Sequence, residues 1–118
     1  MALRLKRVYE PPEASDGYRV LVDRLWPRGV SKEEARLDEW ARELAPSSEL
    51  RRWFGHDPAK FDEFRRRYRD ELDAHGEKLR DLRRRAGNGR LTLVYGARDT
   101  EHNDAVVLAE ILRGRRSA

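Results

Sequence analysis

The sequence predicts a small single-domain α/β fold over residues 1–118: a mainly parallel sheet of about three strands with helices packed on it. Three observations predict this. Residues 3–8, 18–25 and 91–95 are short apolar or alternating runs of strand length. The segments between the second and third runs carry apolar residues at steps of three and four. Caps and breakers such as Ser31, Pro46, Asp57-Pro58 and Gly87-Asn88-Gly89 punctuate them. Strands alternating with helices imply parallel pairing, and 118 residues make one domain.

Taken in order, Leu3 and Leu5 share one face of an alternating segment, so residues 3–8 read as a half-exposed or edge strand. Pro11-Pro12 and Asp16-Gly17 bound a loop. The connection from residue 9 to 17 is short for a parallel crossover, which leaves the first pairing open. Residues 18–25, with Val20, Leu21 and Val22, form the second strand. Ser31 with Glu34 makes a capping box and opens a helix over 31–45, whose buried face is Leu37, Trp40, Ala41 and Leu44. Ser47 or Ser48 opens a short helix that stops at Gly55, with Leu50, Trp53 and Phe54 inward. Asp57-Pro58 is a cap followed by proline at the first helical position. Phe61, Phe64, Tyr68, Leu72, His75, Leu79, Leu82 and Ala86 keep helical spacing through residue 86. Gly76 in the middle permits one long helix or two with a joint. Residues 91–95 are the third strand. Thr100 caps a last helix that buries Ala105, Leu108, Ala109 and Leu112, and residues 115–118 fray. The expected core includes Trp40, Trp53, Phe61, Phe64, Leu72, Leu93 and Leu108.

Composition excludes several functions. There is no cysteine, hence no disulfide, thiol nucleophile or thiolate metal site. The first residues alternate apolar and basic side chains, unlike a signal peptide or membrane anchor, so the cytoplasm is the expected compartment and no membrane partner is expected. The net charge is +4, and 41% of residues are charged. Residues 51–90 hold 13 basic and 8 acidic side chains, interspersed rather than blocked.

The most unusual stretch is Asp23-Arg24-Leu25-Trp26-Pro27-Arg28-Gly29. It follows an apolar strand and precedes a helix start. A carboxylate, two guanidiniums and an indole are hard to explain there as packing. If the second and third strands are parallel, loops 23–31 and 96–103 meet at the C-terminal rim of the sheet, where open parallel sheets bind ligands. The candidate ligand site is therefore Asp23, Arg24, Trp26, Arg28, Tyr95, Asp99, His102 and Asn103. Helix N-termini and arginine forks favour an anion. Arg24 and Arg28 serve equally well as members of a structural ion network with Asp23 or Asp99. His102 in a first helical turn suits acid–base chemistry near neutral pH, or simply faces solvent. Trp26 reads as a pocket wall or a packing residue, His56 as a turn residue and His75 as a partly buried histidine. Asp23, Asp99 and His102 lack any metal-ligand spacing, and no phosphate-loop, dinucleotide or Ser-His-Asp pattern occurs, so neither metal nor cofactor is expected.

Several segments together resemble the YeaO-like proteins, a short bacterial branch of the domain-of-unknown-function-488 (DUF488) family. They are Lys6-Arg7-Val8-Tyr9, Asp16-Gly17, Val22 through Gly29, Ala45-Pro46-Ser47 and Leu50-Arg51. Trp53-Phe54-Gly55-His56, Tyr68 with Glu71-Leu72, Thr92-Leu93-Val94-Tyr95 and Asp99 to Asn103 continue the match. The resemblance implies a compact α/β fold in the cytoplasm and no particular activity. Longer members of the broader family tend to carry a Cys-His-Arg run near Asn103. This chain has Asn103-Asp104-Ala105 there, so thiol chemistry does not carry over.

Two function classes follow. The first is a pocket for a phosphorylated or carboxylated small molecule, with phosphate-ester or acyl hydrolysis as its enzymatic extension. The second is a nucleic-acid or protein adaptor using Arg65, Arg66, Arg69, Arg80, Arg83 and Arg84. Acids such as Glu63, Asp70, Asp73 and Asp81 alternate with those arginines, which disfavours phosphate tracking.

Overall fold

The computed structural model describes residues 2–114. Strands β1 (Ala2–Arg7), β2 (Tyr18–Leu21), β3 (Glu39–Trp40) and β4 (Arg90–Tyr95) form one sheet in the order β1-β4-β2-β3. All three pairings are parallel. Around the sheet lie α1 (Lys32–Ala35), α2 (Ser48–Phe54), α3 (Phe61–Leu72), α4 (Gly76–Ala86) and α5 (Asp104–Leu112). None of these helices is long and apolar enough to cross a membrane. The expected fraying of residues 115–118 lies outside the described residues.

The period-two alternation of strands separates two faces. One presents Leu3, Leu5, Val20, Leu91, Leu93 and Tyr95 to the main core. Against it pack Leu50 and Phe54 of α2, Phe61, Phe64, Tyr68 and Leu72 of α3, Leu79 and Leu82 of α4, and Leu108 and Leu112 of α5. The rings of Phe54 and Phe64 stack at 4.3 Å. The other face is divided. Val8, Leu21, Val94 and Ala35 form a small second cluster with Trp26, Val30, Leu37 and Trp40. The rest of that face is polar: Arg4, Lys6, Arg19 and Thr92 surround Asp16.

Asp16 explains the short first connection. β1 and β2 are not neighbours, because β4 lies between them. The connecting loop brings Asp16 onto the polar face, where its fully buried carboxylate meets Arg4 at 2.7 Å, Arg19 at 2.7 Å and Lys6 at 3.1 Å. It also accepts the Glu13 N–H, and its own carbonyl accepts the Thr92 hydroxyl. Burial opposes the negative charge, but these donors outweigh it and hold the carboxyl at about 2. Gly17 follows with φ +66°, and a Cβ there would lie 2.2 Å from the Arg90 carbonyl oxygen. Only glycine fits this turn.

The sheet has four strands rather than the expected three, because the helix expected over 31–45 is broken up. Ser31 does form its capping box with Glu34. However, α1 ends at Ala35, with Arg36 in the left-handed region at φ 45°. Residues 39–40 then pair with Val20 and Leu21, and a 3-10 turn covers 42–44. The physical reason is the free edge of β2: Asp38 and Ala41 donate backbone hydrogen bonds to Arg19 and Leu21, which a helix could not supply. Regular pairing in β2 stops at Leu21, not residue 25, although Val22 still donates to the Val94 carbonyl.

Of the two alternatives open for residues 58–86, the structure has two helices joined by a 3-10 turn at 73–75, just before Gly76. Two further expectations change. Asn103, not Thr100, caps α5: its side chain accepts the Val106 N–H at 3.0 Å. Trp40 and Trp53 are only partly buried. Arg42 covers the ring of Trp40, and Lys60 and Arg67 cover that of Trp53. Phe61, Phe64, Leu72, Leu93 and Leu108 are buried as expected.

Candidate ligand site at the C-terminal rim

Parallel β2 and β4 do bring their following loops together. Asp23, two residues beyond β2, reaches across to β4's exit, where its Oδ2 accepts the Gly96 N–H at 2.8 Å. A Cβ on residue 96 would press to 3.2 Å from that oxygen. The Asp23 carbonyl is held by the Trp40 indole N–H at 2.8 Å. Trp26 meets Trp40 edge-on at 5.4 Å and donates to the Val30 carbonyl at 2.7 Å. The Tyr9 hydroxyl donates to the Arg28 carbonyl. Loop 23–30 is thus pinned by two indoles and a phenol.

Behind the loop lies a cavity of about 270 Å³. Its walls are apolar and largely aromatic, built from Tyr9, Leu25, Trp26, Pro46, Phe54 and Phe64. Asp23, Asn103 and Asp104 supply the polar floor, and Arg24, Arg51 and His56 complete the lining. Arg24 holds the Pro46 carbonyl through Nε at 3.1 Å. Arg51 and His56 are exposed. His56 follows Gly55, the left-handed cap of α2, and itself has φ 58°.

The floor has an electrostatic feature of its own. The carboxyls of Asp23 and Asp104 lie together on this floor, and each shifts the other's titration. Two like charges in a partly desolvated site resist ionising together, which favours one proton on the pair. Burial pushes the Asp104 carboxyl well above the usual range, and the adjacent Asp23 charge adds to the shift. Burial raises Asp23 too, against the Gly96 N–H, Asp104 and His56, which favour its charge. Behind them, burial together with the Asp104, Asp23 and Glu71 charges pushes the Tyr68 phenol well up. That phenol remains neutral and donates to the Leu44 carbonyl at 2.5 Å.

The expected site residues divide. Asp23, Arg24, Trp26 and Asn103 line the cavity. Arg28 is exposed on the outer loop, and Tyr95, Asp99 and His102 stand outside the lining. Asp99 and His102 build the approach to α5. Asp99 accepts the Glu101 and His102 N–H groups, and its Oδ2 meets His102 Nδ1 at 2.9 Å. These contacts, the Glu101 N–H foremost, lower the Asp99 pKa. His102 stands edge-on to Phe61 at 5.1 Å. Asn103 donates to the Asp99 carbonyl while capping α5. Sequence reasoning left Asp104 and Arg51 out of the site and read His56 only as a turn residue. Asp104 carried one usable signal: it opens the helix whose preceding loop faces Asp23.

The arginines of α3 and α4 are mostly engaged. Arg65 and Arg69 reach Glu110, Arg66 pairs with Glu63, and Arg84 pairs with Asp81. Arg83 donates to the Ile111 and Leu112 carbonyls at the end of α5. Among the described residues there is no group of three or more His, Asp or Glu side chains able to hold a metal ion.

Comparison with known proteins agrees with the sequence resemblance. The family described as "Inactive DUF488-N3 subclade" matches residues 2–117. The uncharacterised protein YeaO of Escherichia coli is 48% identical over 116 residues, covering 96% of this chain and 98% of its own length. An uncharacterised protein of Mycobacterium tuberculosis is 44% identical over 113 residues, covering 96% and 95%. No solved structure matches significantly.

Proposed function

The chain belongs to the DUF488 family, in the branch described as the Inactive DUF488-N3 subclade, and from that premise we propose that its rim cavity binds a small anionic ligand without transforming it. The observation that carries this reading is the cavity itself: a concave, aromatic-walled space at the C-terminal rim of a parallel sheet, with Arg24 and Arg51 in its lining. At about 270 Å³ it suits a small metabolite. A carboxylate or phosphate is matched by the exposed guanidinium of Arg51, with Arg24 and His56 adding positive potential. The floor is unsuited to an anion, so the charged group sits at the mouth. The lining has no serine, threonine, cysteine or lysine to serve as a nucleophile. The position where longer relatives carry Cys-His-Arg is Asn103-Asp104-Ala105, consistent with binding rather than turnover. The protein acts in the cytoplasm in this reading. Adaptor use of α3 and α4 is disfavoured, because their arginines are held by neighbouring acids and carbonyls.

The test is thermal shift with inorganic phosphate and short carboxylates. Wild type and Arg28→Ala are stabilised alike, whereas Arg51→Ala loses the effect. Absence of stabilisation by any of these anions, or equal stabilisation of Arg51→Ala, overturns the reading.

A further inference from the structure

We infer that the cavity floor takes an ammonium group between the carboxyls of Asp23 and Asp104, so that the ligand is a small zwitterion of the amino-acid type. This rests on the binding reading above for its anionic end and on the floor's own geometry for its cationic end.

The floor is asymmetric with the mouth. Asp23 Oδ2 is used by the Gly96 N–H, and Asp104 Oδ1 accepts the Ala105 N–H. Each carboxyl therefore keeps one oxygen that receives no backbone N–H among the described residues, free for a ligand donor. Among the described residues, neither Asp23 nor Asp104 forms an ion pair with a lysine or arginine, unlike Asp16 with its three. The groups that face the pair are His56 after α2, the neutral Tyr68 phenol on α3, the capping amide of Asn103, and Arg24 and Arg51 toward the mouth. Arg24 is turned to the Pro46 carbonyl. The pair thus keeps a negative charge with no fixed cation against it.

The walls select the same chemistry. Tyr9, Trp26, Phe54 and Phe64 present aromatic surface around the carboxyls. Aromatic faces attract an alkylammonium and offer nothing to an anion. A hard divalent ion demands six or more oxygens, which two half-used carboxyls cannot provide. An ammonium needs only two or three acceptors, and Asp23 and Asp104 supply them once the proton has left. Proton balance follows directly: the ligand arrives as R–NH3+, the shared proton passes to solvent, and both carboxylates become ionised against the ammonium.

Isothermal titration of the full chain near neutral pH tests this with three matched series. They are unbranched ω-amino carboxylates from glycine to 5-aminovalerate, the same carboxylates without the amine, and the corresponding alkylamines. Titrations run in two buffers of different ionisation enthalpy. The expected result is that the best amino carboxylate binds at least about tenfold tighter than its deaminated partner and releases close to one proton. Asp104→Asn keeps a donor to Asp23 but has no proton to release, so both the release and the amine preference disappear. Asp23→Asn is the second variant, and it gives the same losses. Carboxylates binding as tightly as their amino partners, without proton release, overturn the floor assignment and leave the mouth reading intact. Amino carboxylates that bind with proton release equally well to wild type and Arg51→Ala uphold the floor and overturn the mouth. Failure of all three series at millimolar concentration overturns both.

Discussion

Asp16 and Asp23 lie seven residues apart, on either side of β2; Asp16 is fully buried, and Asp23 is half-buried at the cavity. At Asp16 the sheet face supplies Arg4, Lys6 and Arg19, and the carboxyl is held charged at about 2. At Asp23 no such cation is supplied; the neighbour is a second carboxyl, and the pair holds a proton beside a cavity. Each acceptor of the first site is met by the protein's own cations and donors, which is what a structural site requires. The second has no lysine or arginine paired with it among the described residues and opens on the cavity. The difference teaches that a buried acid is read by its partners and by the space beside it, rather than by its burial.

The contrast is broken most severely at Asp16. Asp16→Ala leaves the buried Lys6 and Arg19 without their shared carboxylate, and removing one partner of a buried ion network costs about 3–5 kcal/mol. Urea unfolding measures this directly; a loss below about 1 kcal/mol places Asp16 among weak surface pairs instead. The same site has an acid signature. Its folded pKa is depressed, so its contribution is complete above the ordinary carboxyl range and is lost as pH falls from about 4 toward 2. The loss amounts to about 2 kcal/mol.

At the cavity the largest effect is on binding. Arg51→Ala weakens carboxylate or phosphate binding by about 1.5–3 kcal/mol, roughly ten- to hundredfold, while Arg28→Ala leaves it unchanged. Calorimetry on the two variants sharpens the distinction between mouth and outer loop. Equal losses in both move the anion site outward along loop 23–30.

Asp104→Asn gives a smaller effect of opposite sign to Asp16→Ala. A raised carboxyl pKa means the folded state binds its proton more tightly than the unfolded chain does. Stability is then greatest at low pH and is lost as pH rises from the ordinary carboxyl range toward the folded value. The amide removes that loss, so Asp104→Asn gains on wild type as pH rises from about 4 to 8. Urea midpoints across that range check it, and a constant difference at all pH values shows that no proton is shared. The smallest effect belongs to α3. Arg66 and Glu63 are a surface pair, and Arg66→Ala leaves the melting temperature unchanged within error.

Much of the fold was legible from local rules. Phe61, Phe64, Tyr68 and Leu72 follow one helical stripe, and Ser31, Ser47 and Asp57 are caps whose side chains accept the expected backbone N–H groups. Residues 91–95 fall within a strand buried on both faces. Leu37, Trp40, Ala41 and Leu44 kept helical spacing and misled. Their spacing is equally met by a two-residue strand and a 3-10 turn, and the choice was made by the open edge of β2. The site was half legible. Asp23, Arg24 and Trp26 stood out because charged and aromatic residues at a strand exit are poor packing material. Asp104 did not, because an aspartate at the start of a helix is ordinary.

By itself the sequence determined the parallel α/β class, the helical stripe of α3 and α4, the lack of thiol chemistry and the rim at which loops 23–31 and 96–103 meet. These depend on periodicity, capping and composition, which act over a few residues. Only the tertiary structure decided that β4 inserts between β1 and β2, that Asp16 is saturated with cations, and that Asp23 faces Asp104 across a small aromatic cavity while Arg28, Asp99 and His102 stand outside it. Those outcomes depend on contacts made in the packed sheet: Asp23 finds Gly96 across 73 residues, and Asp16 gathers Arg4, Lys6 and Arg19 from two strands that β4 separates. Such hydrogen bonding and charge pairing are set by the packed sheet, not by any local preference.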